Sequence, residues 1–467
     1  MYENSTLYHQ LLKEHTKEEV DSIFESELQN RNITDYVDFV KNYKREYTEE
    51  NIVKYVDLVS YLQLDIQNEL SNYLLEKYIL NLRYLDLICN YHCIRYVIEE
   101  LCNQINDLTD NQLLYISSYV NILELNLSNN ENITNQGLKN CKYVQKLNLE
   151  NNDNITTCDY LADSLIELNA SIFCQLTDKG LKNCKNIQKL IIENNSDITT
   201  CQPFANSLII LIAYDSGIND EGLKDCVNLQ ILNAGYNDKI TTCQPFAKTL
   251  IELNAMGNSG IDDKSLQICV NLQILNAHEN KNITTCSPFA NSLIDLDCSW
   301  NCGINDEGLI NCFYIQKLNA SSNLKITTCE PFAKTLIKLD ASYCCINDEG
   351  LKNCFNIMIL HAEDNKQITT CQPFANTLVE LIANEYCGIG DEGLENCINL
   401  KILEAAHNCK ITSCKPFVNS IIELDASGNC GIDNEEIKKC IKLKKIYYYR
   451  NCKIDQEIVE KIELKNN

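Results

Sequence analysis

Two ladders of cysteine run through most of this sequence. One is Cys141, Cys184, Cys226, Cys269, Cys312, Cys354, Cys397 and Cys440; the other is Cys158, Cys201, Cys243, Cys286, Cys329, Cys371 and Cys414. Thiols at this density can crosslink, ligate zinc or attack an electrophile, and their spacing tests each chemistry. Steps within a ladder are 42 or 43 residues. If one step spans two stacked strands, equivalent cysteines lie roughly 10 Å apart, too far for a disulfide, which needs Cα atoms within about 7 Å. Zinc needs four ligands converging on one point, but the chain has 6 histidines and no C-x-x-C pair. Small and mildly apolar, the cysteines read as stripes of core thiols. A third group, Cys302, Cys344, Cys345, Cys387, Cys409, Cys430 and Cys452, replaces or flanks a recurring asparagine, and some of it should be exposed.

Other catalytic constellations fail the same inspection. His278, His361 and His407 fall near strand ends, with Glu404 three residues before His407, but no nucleophile with an orienting acid accompanies them. There is no glycine-rich phosphate loop and no H-E-x-x-H. The expectation is a protein that is not an enzyme, with no cofactor and no metal.

The elements that carry the cysteines repeat. Apolar residues opening an L-x-x-L segment stand at Ile122, Leu165, Leu208, Leu250, Leu293, Leu336, Leu378 and Ile421, and an interleaved series at Val144, Ile187, Leu229, Leu272, Ile315, Ile357, Leu400 and Leu443. Neighbouring members lie 21 or 22 residues apart, giving sixteen units in eight pairs. In Leu229-Gln230-Ile231-Leu232-Asn233-Ala234, the first, fourth and sixth residues can face inward from a strand, and Ile240 closes the layer. Asn237 stands where a side chain can satisfy the turn's backbone, with matches expected at 130, 152, 258, 280, 301, 323, 365, 408, 429 and 451. This pattern resembles the leucine-rich repeat, which implies an α/β solenoid whose units bury their apolar sides only by stacking.

The units differ on their return path. The first type, as in Ile218 to Cys226, resembles the cysteine-containing repeat subtype of many F-box proteins, which implies a helix there. The second, Ile240 to Leu250, holds one of the chain's 6 prolines. Proline suits the first turn of a short helix, and the threonine before the cysteine can cap it.

Formal net charge is -25, from 65 acidic and 40 basic residues. That opposes broad binding to nucleic acid or anionic membrane, which reward clustered cations. No run of eighteen apolar residues occurs, and MYENSTLYHQLLKEH does not read as a leader. Reduced thiols in the cytoplasm are therefore expected. The Asn- and Ile-rich bias and near-identical repeat pairs resemble proteins of giant DNA viruses of amoebae or A/T-rich protists, which implies a host's cytoplasm in the viral case.

Residues 1–110 lack the repeat, proline and glycine, and show helical periodicity. Around Tyr47 to Asp65, within 35–85, the text resembles the helical latter half of a BTB/POZ domain. Two readings stay open: a helical cap over the first repeat, or an adaptor-binding domain. Residues 111–467 are the expected solenoid, ending in a polar cap after Tyr447-Tyr448-Tyr449.

The second, third and fifth residues of each hexad should line a concave sheet, the usual binding face of such solenoids. Candidate partner-binding residues are Ile209, Ile210, Ile212, Glu252, Asp295, Asp297, Lys338, Asp340, Glu380, Ile382 and Glu423, with Trp300, the one tryptophan, just beyond a strand. An apolar stripe flanked by carboxylates suits a protein partner of basic character. The leading expectation is a non-enzymatic interaction scaffold. The alternative is the substrate-recognition subunit of a cullin-type ubiquitin ligase, its amino terminus holding a cullin or Skp1-like adaptor.

Overall fold

A computed structural model of the chain describes residues 108–119 and 121–466. The BTB-like stretch at 35–85, and all but the last three residues of the expected helical region at 1–110, lie outside the described residues. The described chain divides into two compact units, the first ending at Ile198 and the second beginning at Thr199.

In the first unit a helix, Asp110–Tyr119, precedes four strands: β1 (Glu124–Asn126), β2 (Lys146–Asn148), β3 (Glu167–Asn169) and β4 (Lys189–Ile191). They pair in parallel, each with its chain neighbour, so that Leu125, Leu147, Leu168 and Leu190 stand in line. The second unit repeats this with β5 (Ile210–Ile212), β6 (Ile231–Asn233), β7 (Glu252–Asn254), β8 (Ile274–Asn276), β9 (Asp295–Asp297) and β10 (Lys317–Asn319). It continues with β11 (Lys338–Asp340), β12 (Ile359–His361), β13 (Glu380–Ile382), β14 (Ile402–Glu404), β15 (Glu423–Asp425) and β16 (Lys445–Tyr447). A helix, Gln456–Asn466, follows. There is one strand for each expected unit, and the in-register parallel stacking makes this a leucine-rich-repeat-like α/β solenoid.

Stacking creates the core. In the unit opened by Leu229, the side chains of Leu229, Leu232, Ala234 and Ile240 are all buried, as are their counterparts along the array except Tyr448 in the last unit. Each large aliphatic side chain so buried stabilises by about 1.5–3 kcal/mol, before the entropy of ordering it. Among the described residues the largest fully buried side chains are Phe204, Phe246, Phe289, Phe332, Phe374 and Phe417, one from each proline-containing return path.

The two return paths fold as their sequences direct. In the first type, Asn219 caps the short helix Asp220–Leu223 by accepting the Gly222 N–H at 3.0 Å. A side chain on Gly222 would be driven into the Thr199 carbonyl oxygen, and the Gly222 carbonyl accepts the Cys201 N–H at 3.0 Å. In the second type, Thr242 Oγ accepts the Gln244 N–H at 3.2 Å, opening a 3-10 turn, Gln244–Phe246, that contains Pro245. The threonine hydroxyl thus engages the turn's first N–H from one position earlier than expected of a cap, since the N-cap is Cys243, whose side chain makes no cap bond.

The turn after each strand departs from expectation in detail. Asn237 is buried and donates to the Ala213 carbonyl (3.1 Å) and the Ile218 carbonyl (3.2 Å), while its Oδ1 accepts the Lys239 N–H at 3.1 Å. The same role falls to Asn130, Asn152, Asn280, Asn323, Asn365, Asn408 and Asn451, and also to Asn195, which the pattern did not include. The expected Asn258, Asn301 and Asn429 are exposed instead. In those units the buried turn position falls one residue later, at Ser259, Cys302 and Cys430. Apart from Asn130, first-type turns carry a serine or cysteine at the buried position, which is smaller than an amide.

Candidate interaction surface

Alternation within each strand turns the first, fourth and sixth hexad residues inward and leaves the second, third and fifth on the open face. Ile209, Ile210 and Ile212 are half-buried there, as are Glu252, Asp295, Asp297, Asp340, Glu380, Ile382 and Glu423; Lys338 is exposed. The second-position residues Ile209, Ile251, Ile294, Ile337, Val379 and Ile422 of the first-type strands are half-buried or exposed on this face, whereas the third-position row of the second unit mixes apolar and charged groups. Ile210 on β5 pairs with Ile231 on β6, and together with Ile209 and Ile212 they make a patch. Beyond it the row runs Glu252, Ile274, Asp295, Lys317, Lys338, Ile359 and Glu380, charged except for the isoleucines of β8 and β12. The first unit's row is Glu124, Lys146, Glu167, Lys189, with Glu124 and Lys146 paired at 2.7 Å.

Fifth-position residues mainly end their strands. Asp297 Oδ1 accepts the Ser299 N–H at 3.0 Å, and its Oδ2 accepts from Asn319 Nδ2 at 3.0 Å. Asp340 Oδ1 likewise accepts the Ser342 N–H at 3.0 Å. These local turns are the role asparagine plays at Asn233, whose Oδ1 accepts the Gly235 N–H. The third-position charges are more available. Asp295 meets Lys317 at 3.0 Å and Glu423 meets Lys445 at 2.8 Å, both as solvent-facing cross-strand pairs.

His361 sits between two acids of neighbouring strands. Its Nδ1 is 3.6 Å from Asp340 and its Nε2 is 3.5 Å from Glu380, yet the buried Nε2 makes no hydrogen bond. Asp340 is the main cause of a raised His361 pKa; burial and Lys338 work against it, and Glu380 adds to it. Burial would raise the Asp340 carboxyl, but His361 and Ser342 together outweigh it and hold that carboxyl below its ordinary value.

Trp300 is not on the sheet face. It lies in the turn after β9, 58 % exposed, in the left-handed region at φ 54°.

The ladder cysteines are buried, as the stripe reading requires. The two ladders also meet across adjacent units, which the spacing within either one did not reveal. Cys243 lies against the Cys269 thiol, and that neighbour together with burial holds it well above the usual thiol range. Cys286 with Cys312, Cys329 with Cys354, and Cys371 with Cys397 repeat the arrangement. Of the third group, Cys302, Cys344, Cys387 and Cys430 are buried in the turns, Cys345 is half-buried, and Cys409 and Cys452 are exposed.

A second surface escaped the sequence reading. The residue after each first-type cysteine is apolar and at least half exposed in six successive pairs of the second unit: Val227, Val270, Phe313, Phe355, Ile398 and Ile441. The signal was present as C-[VFI]-x-[LI], but the eye follows the buried leucine and passes over its exposed neighbour.

Among the described residues no helix is long and apolar enough to cross a membrane. Among the same described residues no group of three or more His, Cys, Asp or Glu is placed to hold a metal ion.

No family model and no curated protein matches the chain. Solved structures do resemble it. An internalin, InlF of Listeria monocytogenes, is 20% identical over 76% of this chain and 87% of its own, with a TM-score of 0.38. The leucine-rich repeat protein LIC12759 of Leptospira interrogans is 18% identical, covering 79% and 96%, at 0.48. TLR13, solved as a complex with an RNA named ssRNA13, is 15% identical at 0.49; the alignment covers 76% of this chain and 59% of that one. These are likenesses to repeat solenoids at low identity.

Proposed function

We propose that this chain is a non-enzymatic scaffold that binds a protein partner on the open sheet face of its second unit. The supporting observation is the half-buried patch of Ile209, Ile210, Ile212 and Ile231 beside third-position carboxylates that face outward from β7, β9 and β13. Apolar groups rimmed by charge suit a protein surface better than a small molecule, because the face is broad and its polar groups do not converge. A basic partner is favoured by Glu252, Asp295, Glu380 and Glu423, and by the net charge of -25.

The test compares proteins captured from native cells by the full chain and two variants. One carries Ile210→Ser, Ile231→Ser and Glu252→Lys on the face. The other carries Val227→Ser, Phe313→Ser and Phe355→Ser on the exposed apolar row. A partner lost only from the first variant supports the reading; one lost only from the second overturns it. A cullin or its adaptor among the captured proteins would make the face the substrate arm of a ubiquitin ligase.

A further inference from the structure

One residue per unit, three positions beyond the strand end, adopts left-handed backbone. Glycine takes this position at Gly257 and Gly428, at φ 66° and 63°. Between β6 and β13 it holds Tyr236 (φ 52°), Glu279 (59°), Trp300 (54°), Ser322 (57°), Tyr343 (53°), Asp364 (53°) and Glu385 (49°), most of them large side chains held despite the steric cost, with Asp215 (44°) before and His407 (59°) and Arg450 (59°) after. From Tyr236 to Glu385 the result is a row dominated by rings and carboxylates, broken only by Gly257 and Ser322, at the carboxy-terminal edge of the second unit's sheet.

The row's backbone is hydrogen-bonded along the array, and its chemistry lies in its side chains. Backbone N–H groups of Tyr236, Glu279, Trp300, Tyr343 and Glu385 already donate to the next unit's carbonyls at 2.7–3.0 Å, so the edge does not recruit a strand through them. Tyr236 O–H donates to Glu279 at 3.1 Å, and Tyr343 O–H donates to Glu363 at 3.2 Å. His278 stacks obliquely on Trp300, with centroids 6.1 Å apart. Rings of this region already take cations: Lys366 Nζ lies 5.1 Å from the Tyr386 centroid, and Arg450 lies 5.0 Å from that of Tyr449.

At one strand spacing per unit, roughly 4.8 Å, Tyr236 to Glu385 spans about 34 Å, the reach of an extended peptide of about ten residues. We propose that this edge binds an extended lysine- and arginine-rich peptide segment, its cations seated on the Tyr236, Trp300 and Tyr343 rings and beside Glu279, Asp364 and Glu385. The proposal rests on the scaffold reading but assigns a different surface from the sheet face.

Trp300 is the sole tryptophan, so its emission reports on the site directly. The full chain is titrated with a decapeptide of alternating lysine and serine at low salt. The expected result is saturable quenching or a spectral shift, with affinity falling about tenfold on raising salt from 50 to 300 mM. The variant Glu279→Gln/Asp364→Asn should bind about tenfold more weakly. Glu221→Gln/Glu349→Gln, an equal charge change on the helical return path, should bind as the parent does. Equal weakening by both variants shows diffuse attraction and overturns the assignment. So does an unchanged emission, or a response only to a neutral oligosaccharide. Because the sheet-face variant keeps this edge, it should keep peptide binding; loss of peptide response with the captured partner still lost from that variant would remove the edge alone.

Discussion

The carboxylate of Asp220 grips Thr241 of the following unit. Oδ1 accepts the Thr241 N–H at 2.7 Å, Oδ2 accepts its hydroxyl at 2.6 Å, and the Thr242 N–H adds a third bond at 3.2 Å. Asp263 with Thr284, Asp306 with Thr327, Asp348 with Thr369, and Asp391 with Thr412 repeat it. Asp110 holds Thr134 the same way in the first unit. The conspicuous D-E-G-L and I-T-T segments are therefore two halves of one inter-unit clasp.

Asp220→Ala should lower unfolding stability by about 1–2 kcal/mol, since it strands two backbone donors at a partly exposed site. Thr241→Val should cost less, because the backbone bonds survive. Urea unfolding measures both, and amide hydrogen exchange should rise first at Thr241 and Thr242.

Gly222→Ala should cost more, about 2–4 kcal/mol, through the clash with the Thr199 carbonyl and the strained Cys201–Gly222 hydrogen bond. The chain supplies its own comparison. Ser265 occupies the equivalent place, and among the described residues no bond from Cys243 to its carbonyl replaces the one that Cys201 makes. Ser265 instead closes a capping box with Asp262. Glu436, at another such place, accepts the Cys414 N–H with its carboxylate at 2.8 Å. Ser265→Gly should therefore leave the melting temperature nearly unchanged.

The spacing of leucines and isoleucines carried the fold in plain text, because every unit must bury the same layer against its neighbours. Turn positions were less legible. Asn258 resembles Asn237 in the string, but a first-type turn lengthened by one residue sends Asn258 outward and Ser259 inward. The cross-unit thiol contact of Cys243 and Cys269 was hidden because 26 residues of chain separate them. Face residues were legible by alternation. Their partners were not, since Lys317 opposite Asp295 and His361 opposite Asp340 depend on register between units.

His361 should make stability depend on pH. Its folded pKa is raised, so the stabilisation is complete below the unfolded value near 6.5 and is lost as pH rises through the folded value. The groups facing it are Asp340, Glu380 and Lys338. The Asp340 carboxyl is held below its ordinary value by His361 and Ser342, so it stays charged across this window. The melting-temperature gap between the parent and His361→Gln should be widest near about pH 5.5 and small by about pH 9. A gap that does not vary with pH would show that packing alone matters at this site.

Thiol reactivity should divide by burial. Under native conditions an alkylating reagent should modify Cys409 and Cys452 quickly and Cys345 more slowly. Cys243, Cys286 and Cys329 should react only after denaturation, because the neighbouring thiol and burial disfavour the thiolate and burial blocks access. Peptide mapping by mass spectrometry after timed labelling reads each position separately.

Carboxylate footprinting of the full chain, with and without its captured protein partner, tests the location of binding most directly. Binding on the sheet face should shield Glu252, Asp295 and Glu380 from carbodiimide labelling while Glu221 and Glu349, on the helical return path, label as before. Shielding of Glu221 and Glu349 with Glu252, Asp295 and Glu380 still fully labelled would contradict the account.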